Sequence, residues 1–381
     1  MKKENSNRYA SNKRIILMYI SEISGHHSAT LAIEEDLRRL EHNLEILNIN
    51  GFHYTNPISE KIVNRIYMTM IKRLPGIWDY LYDNPRIARK IDKLKAVLHR
   101  FNSSKLKRLF DNFQPDVVAC TQAFPCGMVA DFKKIYNYKV PLVAVLTDYA
   151  PHTYWIYETI DYYITPSQET NQRFIKKGVP KEKMIDLGIP FSPRFNEVLP
   201  KDVIAQKLGL NLQLPTILIM GGGHGLGPIK RIIESLEESK MQFQEIVVVG
   251  ANKNLYSNLK MNLTNYRKKI LLFGYVNNIN EFMDVSEMII TKLGGITTAE
   301  ALAKRLPMII VNPIPGQEVN NTEYLTRYGA AIKVDTPFKI REVVEDLFLN
   351  PAKLAQMREA CGAISKPNAS LDIAKLLLDL S

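Results

Sequence analysis

Short apolar runs alternate with amphipathic stretches along this chain, and the alternation starts twice. Arg14–Ile20 reads as a strand, followed by a loop around Gly25 and a helix from about Ser28 to Leu40. Leu44–Asn48, Val117–Cys120, Leu142–Leu146 and Tyr162–Ile164 read as further strands, with helical stretches near Gly127–Tyr136 and Gln168–Lys177. Gly188-Ile189-Pro190-Phe191-Ser192-Pro193 reads as a linker. The rhythm then resumes with a strand at Thr216–Met220, a glycine-rich loop at 221–228 and a helix at Ile229–Glu237. Strands at Glu245–Val249, Ile270–Leu272, Met288–Ile290 and Met308–Val311 follow.

Repeated strand–helix alternation predicts an α/β chain with parallel sheets covered by helices on both faces. Two Rossmann-like domains result, facing across a cleft at the strand C-termini, where such sheets bind their ligands. The expected division is 1–190 for the first domain and 191–365 for the second. Residues 366–381 carry a last helix, near Leu371–Leu378, that is placed to pack back on the first domain.

Composition narrows the class. A chain of 381 residues suffices for two cores. Cys120, Cys126 and Cys361 lack metal-ligand spacing and suit a reducing compartment. No apolar run approaches the roughly 18–20 residues of a spanning helix. The polar first residues lack the apolar core of a signal peptide. The chain therefore reads as cytoplasmic, with any membrane contact peripheral. Charge adds one feature. Residues 61–110 hold 13 Lys/Arg and 3 acids, nearly all of the net +11. Ile62, Val63, Ile66, Tyr67, Met70, Ile71, Leu74, Ile77 and Trp78 run between them at near-helical spacing. That make-up suits a helix lying on an anionic membrane, where each Lys or Arg adds about 1 kcal/mol. A core helix with a solvated basic face is the plainer reading. No nucleic-acid motif accompanies the charge.

The candidate chemistry lies after strands. Glycines at 221–227, between a strand and a helix start, suit a diphosphate held by backbone N–H groups, or else a tight structural turn. The loop lacks the Gly-Lys-Ser/Thr ending of a P-loop and the G-x-G-x-x-G register. Gly294-Gly295-Ile296-Thr297-Thr298-Ala299-Glu300 repeats the arrangement. Glu300 could accept the ribose hydroxyls of a nucleotide, or close a capping box with Thr297 three residues before it. Ser24-Gly25-His26-His27 puts a histidine at the mouth of the first sheet, as a general base or as a loop histidine bonded to backbone. Asp148, His152 and Trp155 follow the strand at Leu142–Leu146, as base-orienting and acceptor-binding groups or as a Pro-turn with packing aromatics. Gln317, Glu318 and Asn321 follow Met308–Val311 and could read sugar hydroxyls or cap a helix. The chain has no Asp-x-Asp to hold Mg²⁺ or Mn²⁺. Backbone amides and helix ends are then left to neutralise a leaving diphosphate.

In this order the Ile20–His26 loop, Thr147-Asp148 to Trp155, Gly188-Ile189-Pro190, the glycines at 221–225, Gly294–Glu300 and Pro315-Gly316-Gln317-Glu318 to Asn321 resemble the monogalactosyldiacylglycerol synthase and processive diacylglycerol glucosyltransferase family, relatives of MurG. The resemblance spans roughly residues 14–335. It implies the GT-B fold, with a UDP-sugar donor held mainly by the second domain, and an inverting, metal-independent transfer of galactose or glucose. It also implies no cofactor, peripheral attachment to the inner face of the plasma membrane, and a diacylglycerol-type acceptor. By matching position, His26 is the base or acceptor-orienting residue, with Asp148 beside it. Gly222, Gly223, Gly295 and Thr297 line the UDP, Glu300 takes the ribose, and Gln317, Glu318 and Asn321 contact the donor sugar. His152 and Trp155 lie on the acceptor side. The chain departs from the family where Ile23 and Ser24 replace glycines before the histidine, which bears on the acceptor. A UDP-sugar transferase or epimerase with a non-lipid substrate, and a non-catalytic UDP-sugar-binding protein, are the competing readings.

Overall fold

The computed structural model describes residues 12–55, 104–149, 153–313 and 317–381. The amphipathic stretch within 61–103 therefore lies outside the described residues. The first domain contains β1 (Lys13–Tyr19), α1 (Gly25–Leu40), β2 (Leu44–Asn50), α2 (Gly51–Thr55), β3 (Val117–Cys120), α3 (Ala123–Tyr136), β4 (Leu142–Val145), β5 (Tyr162–Thr165), α4 (Gln168–Lys176) and β6 (Met184–Asp186). All its strands pair in parallel, in the order β2-β1-β3-β4-β5-β6. The second domain contains α5 (Lys201–Leu208), β7 (Thr216–Met220), α6 (Ile229–Glu237), β8 (Gln244–Val248), α7 (Lys253–Asn262), β9 (Lys269–Phe273), α8 (Ile279–Val285), β10 (Met288–Thr291), α9 (Gly295–Ala303), β11 (Met308–Val311), α10 (Gln317–Arg327), β12 (Ala331–Val334), α11 (Ile340–Leu349) and α12 (Pro351–Ile364). Its parallel order is β12-β11-β10-β7-β8-β9.

Both sheets are apolar on both faces because helices cover both. Side chains alternate along each strand, so the apolar runs divide into paired cores. Ile16, Met18, Val118 and Cys120 join the core under α3, whereas Ile15, Leu17, Val117 and Ala119 join the one holding Ile33 and Leu37 of α1. In the second sheet Ile217 and Ile219 pack with Ile229, Ile232 and Ile233 of α6, while Leu218 and Met220 pack with Ile296 and Ala299 of α9.

The chain ends in α13 (Ala369–Leu380), which returns to the first domain. Its Ile373, Ala374 and Leu377 are fully buried in the core with Ile33 and Leu37. Where the chain crosses back, the Phe191 N–H donates to Ser370 Oγ at 3.0 Å and that hydroxyl donates to Phe191 O at 2.5 Å. No helix among the described residues is long and apolar enough to cross a membrane.

Local chemistry explains where sequence and structure part. Helix α3 starts four residues before the expected Gly127, because Gln122 caps it by accepting the Phe124 N–H. The short strand β6 and the half-exposed edge strand β12 carry weak apolar patterns and were not anticipated.

Candidate functional site

Each sheet has one place where neighbouring strands send their chains to opposite faces. In the first sheet β1 leads to α1 on one face and β3 leads to α3 on the other. In the second sheet β7 and β10 part in the same way, to α6 and α9. Such points open a crevice beyond the strand ends. Both crevices lie at the domain interface. Ile23 packs toward Gly223, where a Cβ would stand 3.2 Å from its Cγ2. A Cβ on Gly25 would stand 2.9 Å from Ile296 Cγ1, and one on Gly295 would stand 1.7 Å from Thr147 O. Only glycine at 295 lets α9 come so close to the β4 loop. Left-handed Ser21 (φ 65°), Leu293 (φ 69°) and Asn312 (φ 48°) follow β1, β10 and β11 at this same edge. Strained backbone of this kind collects at functional sites.

His26 sits in the first turn of α1, which Ser24 caps by accepting the His27 N–H. Its Nδ1 is 2.8 Å from Thr121 O and 3.1 Å from Thr147 Oγ1. A carbonyl oxygen only accepts, so Nδ1 carries the proton and Nε2 keeps a lone pair. Thr121 also donates from Oγ1 to His26 O at 2.9 Å, so one residue after β3 fixes both ring and backbone. Burial lowers the His26 pKa from its ordinary value to about 4, against the opposing pull of the Thr121 carbonyl. The imidazole is therefore neutral at physiological pH, and Nε2 meets no described residue. His27 turns away and stacks on Tyr19, with ring centroids 4.1 Å apart.

In the second domain the loop after β7 folds on itself. Gly225 N–H donates to Gly222 O and Leu226 N–H to Gly221 O, while Ala251 N–H anchors Gly223 O at 2.9 Å. Gly222 adopts φ 65°, a conformation open to glycine. The N–H groups of Gly222 and Gly223 take no acceptor among the described residues. Next to them Lys292 leaves β10, with its Cε 3.4 Å from where a Gly222 Cβ would be. Its Nζ bonds Glu318 Oε1 at 2.5 Å.

Glu300 lies on the second turn of α9. The capping-box alternative is overturned: the helix begins at Gly295 with Gly294 as its N-cap, so Thr297 is already helical and Glu300 is beyond capping reach. The Glu300 carboxyl takes no hydrogen bond from any described residue. Burial raises its pKa to about 8, opposed by the nearby Arg194 charge.

Asp148 and Asn321 meet across the interface. Asn321 Nδ2 donates to Asp148 Oδ1 at 3.2 Å and Oδ1 accepts the Tyr149 N–H at 2.9 Å. Asn321 is fully buried. Its amide is thus engaged at both ends by the first domain. Burial raises the Asp148 pKa to about 7, Asn321 pulls it down, Glu318 pushes it up and Lys292 pulls it down. The group that orients the His26 ring is the Thr121 carbonyl. Trp155 is 5% exposed, in the core with Cys126 and Tyr163. His152 and the Gln317 side chain lie outside what the structure describes. Lys292 went unnoticed in the sequence, where a lone lysine after a strand resembles a solvated charge; its place one residue before Leu293-Gly294-Gly295 was the available signal. Among the described residues no grouping of three or more His, Cys, Asp or Glu side chains could hold a metal ion.

Comparison with known proteins identifies the family. The family model for monogalactosyldiacylglycerol (MGDG) synthase matches residues 26–191, and that for the glycosyltransferase family 28 C-terminal domain matches 216–377. The processive diacylglycerol beta-glucosyltransferase of Bacillus cytotoxicus is 30% identical over 376 residues, covering 97% of this chain and 94% of the relative. That of Bacillus cereus is 30% identical over 379 residues, covering 96% and 94%. Among solved structures, Acinetobacter baumannii MurG aligns with TM-score 0.64 at 13% identity, over 96% of this chain and 99% of that one. S. aureus MnaA with UDP aligns with TM-score 0.65 at 15% identity, over 97% and 98%. These structures establish the GT-B fold.

Proposed function

We propose, from the premise that this chain belongs to the monogalactosyldiacylglycerol synthase family of glycosyltransferases, that it moves a hexose from a UDP-sugar to a diacylglycerol-type lipid at a membrane surface, inverting the anomeric carbon. The observation that carries this reading is the neutral His26. It is fixed through Nδ1, with Nε2 meeting no described residue, in the first turn of α1, and the loop before that turn packs Ile23 against Gly223 of the second domain. Nε2 takes the proton of the acceptor hydroxyl as its oxygen bonds C1 of the hexose. The bond between C1 and the β-phosphate oxygen breaks, and its electrons leave with UDP. The N–H groups of Gly222 and Gly223 and the start of α6 receive the new charge. Glu300 accepts the ribose hydroxyls, with Gly295 and Thr297 beside it, while Glu318 meets the sugar. Asn321 positions Asp148 on the acceptor side.

Peripheral attachment at the inner face of the membrane, through the basic residues of 61–110, completes the proposal. The test is UDP release from UDP-glucose and UDP-galactose in EDTA, with and without liposomes of diacylglycerol and anionic lipid. Release that requires diacylglycerol is expected, and the faster donor identifies the sugar. Equal consumption of donor without lipid would point to a soluble acceptor or an epimerase. Tight UDP binding without turnover would make the chain a binding protein.

A further inference from the structure

The charge that a departing diphosphate brings needs more than amides when donor and acceptor are shut between two domains. In the second sheet Met220 pairs with Thr291, so the next residues, Gly221-Gly222 and Lys292-Leu293, run side by side off the strand ends. Lys292 is thereby carried into the crevice beside the glycine loop, its Cε 3.4 Å from the Cβ position of Gly222. Leu293 is fully buried in a left-handed conformation, so the backbone that presents the lysine is pinned from below. The Lys292 side chain is 17% exposed and its ammonium bonds Glu318 Oε1. Two carboxyls, Glu318 and Asp148, bear on this one cation. A cation so placed is held ready rather than spread over a solvated surface, because removing it from its carboxylate partner requires a stronger anion.

We propose that Lys292 is the catalytic cation for the leaving group: its ammonium meets the β-phosphate of UDP, and Glu318 holds it in the crevice until the donor arrives. This rests on the reading of the crevice as a UDP-sugar site. As C1 separates from the β-phosphate oxygen, negative charge grows on that phosphate, and Lys292 stabilises it more strongly than in the bound donor.

Calorimetry with UDP and with uridine, which lacks phosphate, separates the two layers of the proposal. If the unaltered protein binds neither, the nucleotide site itself fails. If it binds both, Lys292→Met is expected to weaken UDP at least tenfold and to leave uridine within twofold, which also shows that the variant is folded. UDP affinity within threefold of the unaltered protein would overturn the role of Lys292. Should Lys292→Met lose uridine binding, Lys292→Arg and Lys292→Gln replace it: Arg must bind UDP at least tenfold tighter than Gln, and equal affinity overturns the proposal. Glu318→Gln removes the holding charge and is expected to tighten UDP several-fold; a tenfold loss would contradict the holding role.

Discussion

Asn321 and Asp148 are joined across the two domains by a side-chain hydrogen bond of 3.2 Å, and the same amide receives the next residue's backbone N–H, from Tyr149, at 2.9 Å. The stacked rings of Tyr149 and Tyr324, with centroids 4.3 Å apart, back this contact. Replacing Asn321 by Ala removes the acceptor of a buried N–H. A buried group left without its partner costs about 1–3 kcal/mol. Denaturant unfolding should show a loss of roughly 2 kcal/mol, and turnover should fall because Asp148 loses its positioning. Unchanged stability would mean that water replaces the amide without cost.

His26→Ala should lower kcat by about 10²–10⁴-fold if Nε2 is the base, with UDP affinity unchanged. The lowered pKa of about 4 sets the pH profile. The free base is present above that value, so the rate should stay level as pH falls from neutrality and drop only on approaching 4. A rate that halves near pH 6.5 would assign the base elsewhere.

Glu300 has its pKa raised to about 8 in the unliganded protein. If the ionised carboxylate accepts the ribose hydroxyls, UDP affinity should rise with pH up to about 8 and level off above it. Glu300→Gln should weaken UDP and flatten the profile, as calorimetry at several pH values would reveal. A slope that survives in Glu300→Gln would belong to another group.

Gly295→Ala introduces a Cβ whose position is 1.7 Å from Thr147 O. The second domain has no reason to unfold, but it must move away from the first. Turnover should fall about 100-fold, since displacement of about 1 Å can cost that much. Turnover near that of the unaltered protein would show that closure tolerates the displacement.

Glu245 of β8 is fully buried, and neither carboxyl oxygen has a hydrogen-bond partner among the described residues. Burial raises its pKa from 4.5 to about 8, against the pull of Lys268. The native protein then holds a proton that the unfolded chain releases, so this group's contribution is intact below pH 4.5 and is lost as pH rises toward 8. Glu245→Gln should raise the thermal midpoint at pH 8 and leave it nearly unchanged at pH 4.5. An equal effect at both would trace to packing.

Much of the fold is legible in the sequence because central parallel strands are buried on both faces and read as plain apolar runs, as at Ile15–Met18 and Ile217–Met220. The edge strand Ala331–Val334 escaped because its Ile332 is only half-buried and its Lys333 is exposed. His26, Glu300 and the glycines stood out because they follow strands. What spacing could not convey was partnership. Thr297 and Glu300 have capping-box spacing, yet Gly294 is the N-cap and both residues lie inside the helix. Lys292 and Glu318 lie 26 positions apart and meet only through the fold. The carbonyl that holds His26 Nδ1 comes from Thr121, 95 positions away, which no spacing displays.

The return of α13 to the first domain means that the polypeptide passes between the domains twice, once near Phe191 and once near Ser370, and these passages are bonded to one another. A single tether would let the second domain swivel in any direction. Two tethers bonded to one another resist that swivelling more than one would. The loops beyond β1 and β7 thus meet on domains that are strapped together twice at a single place.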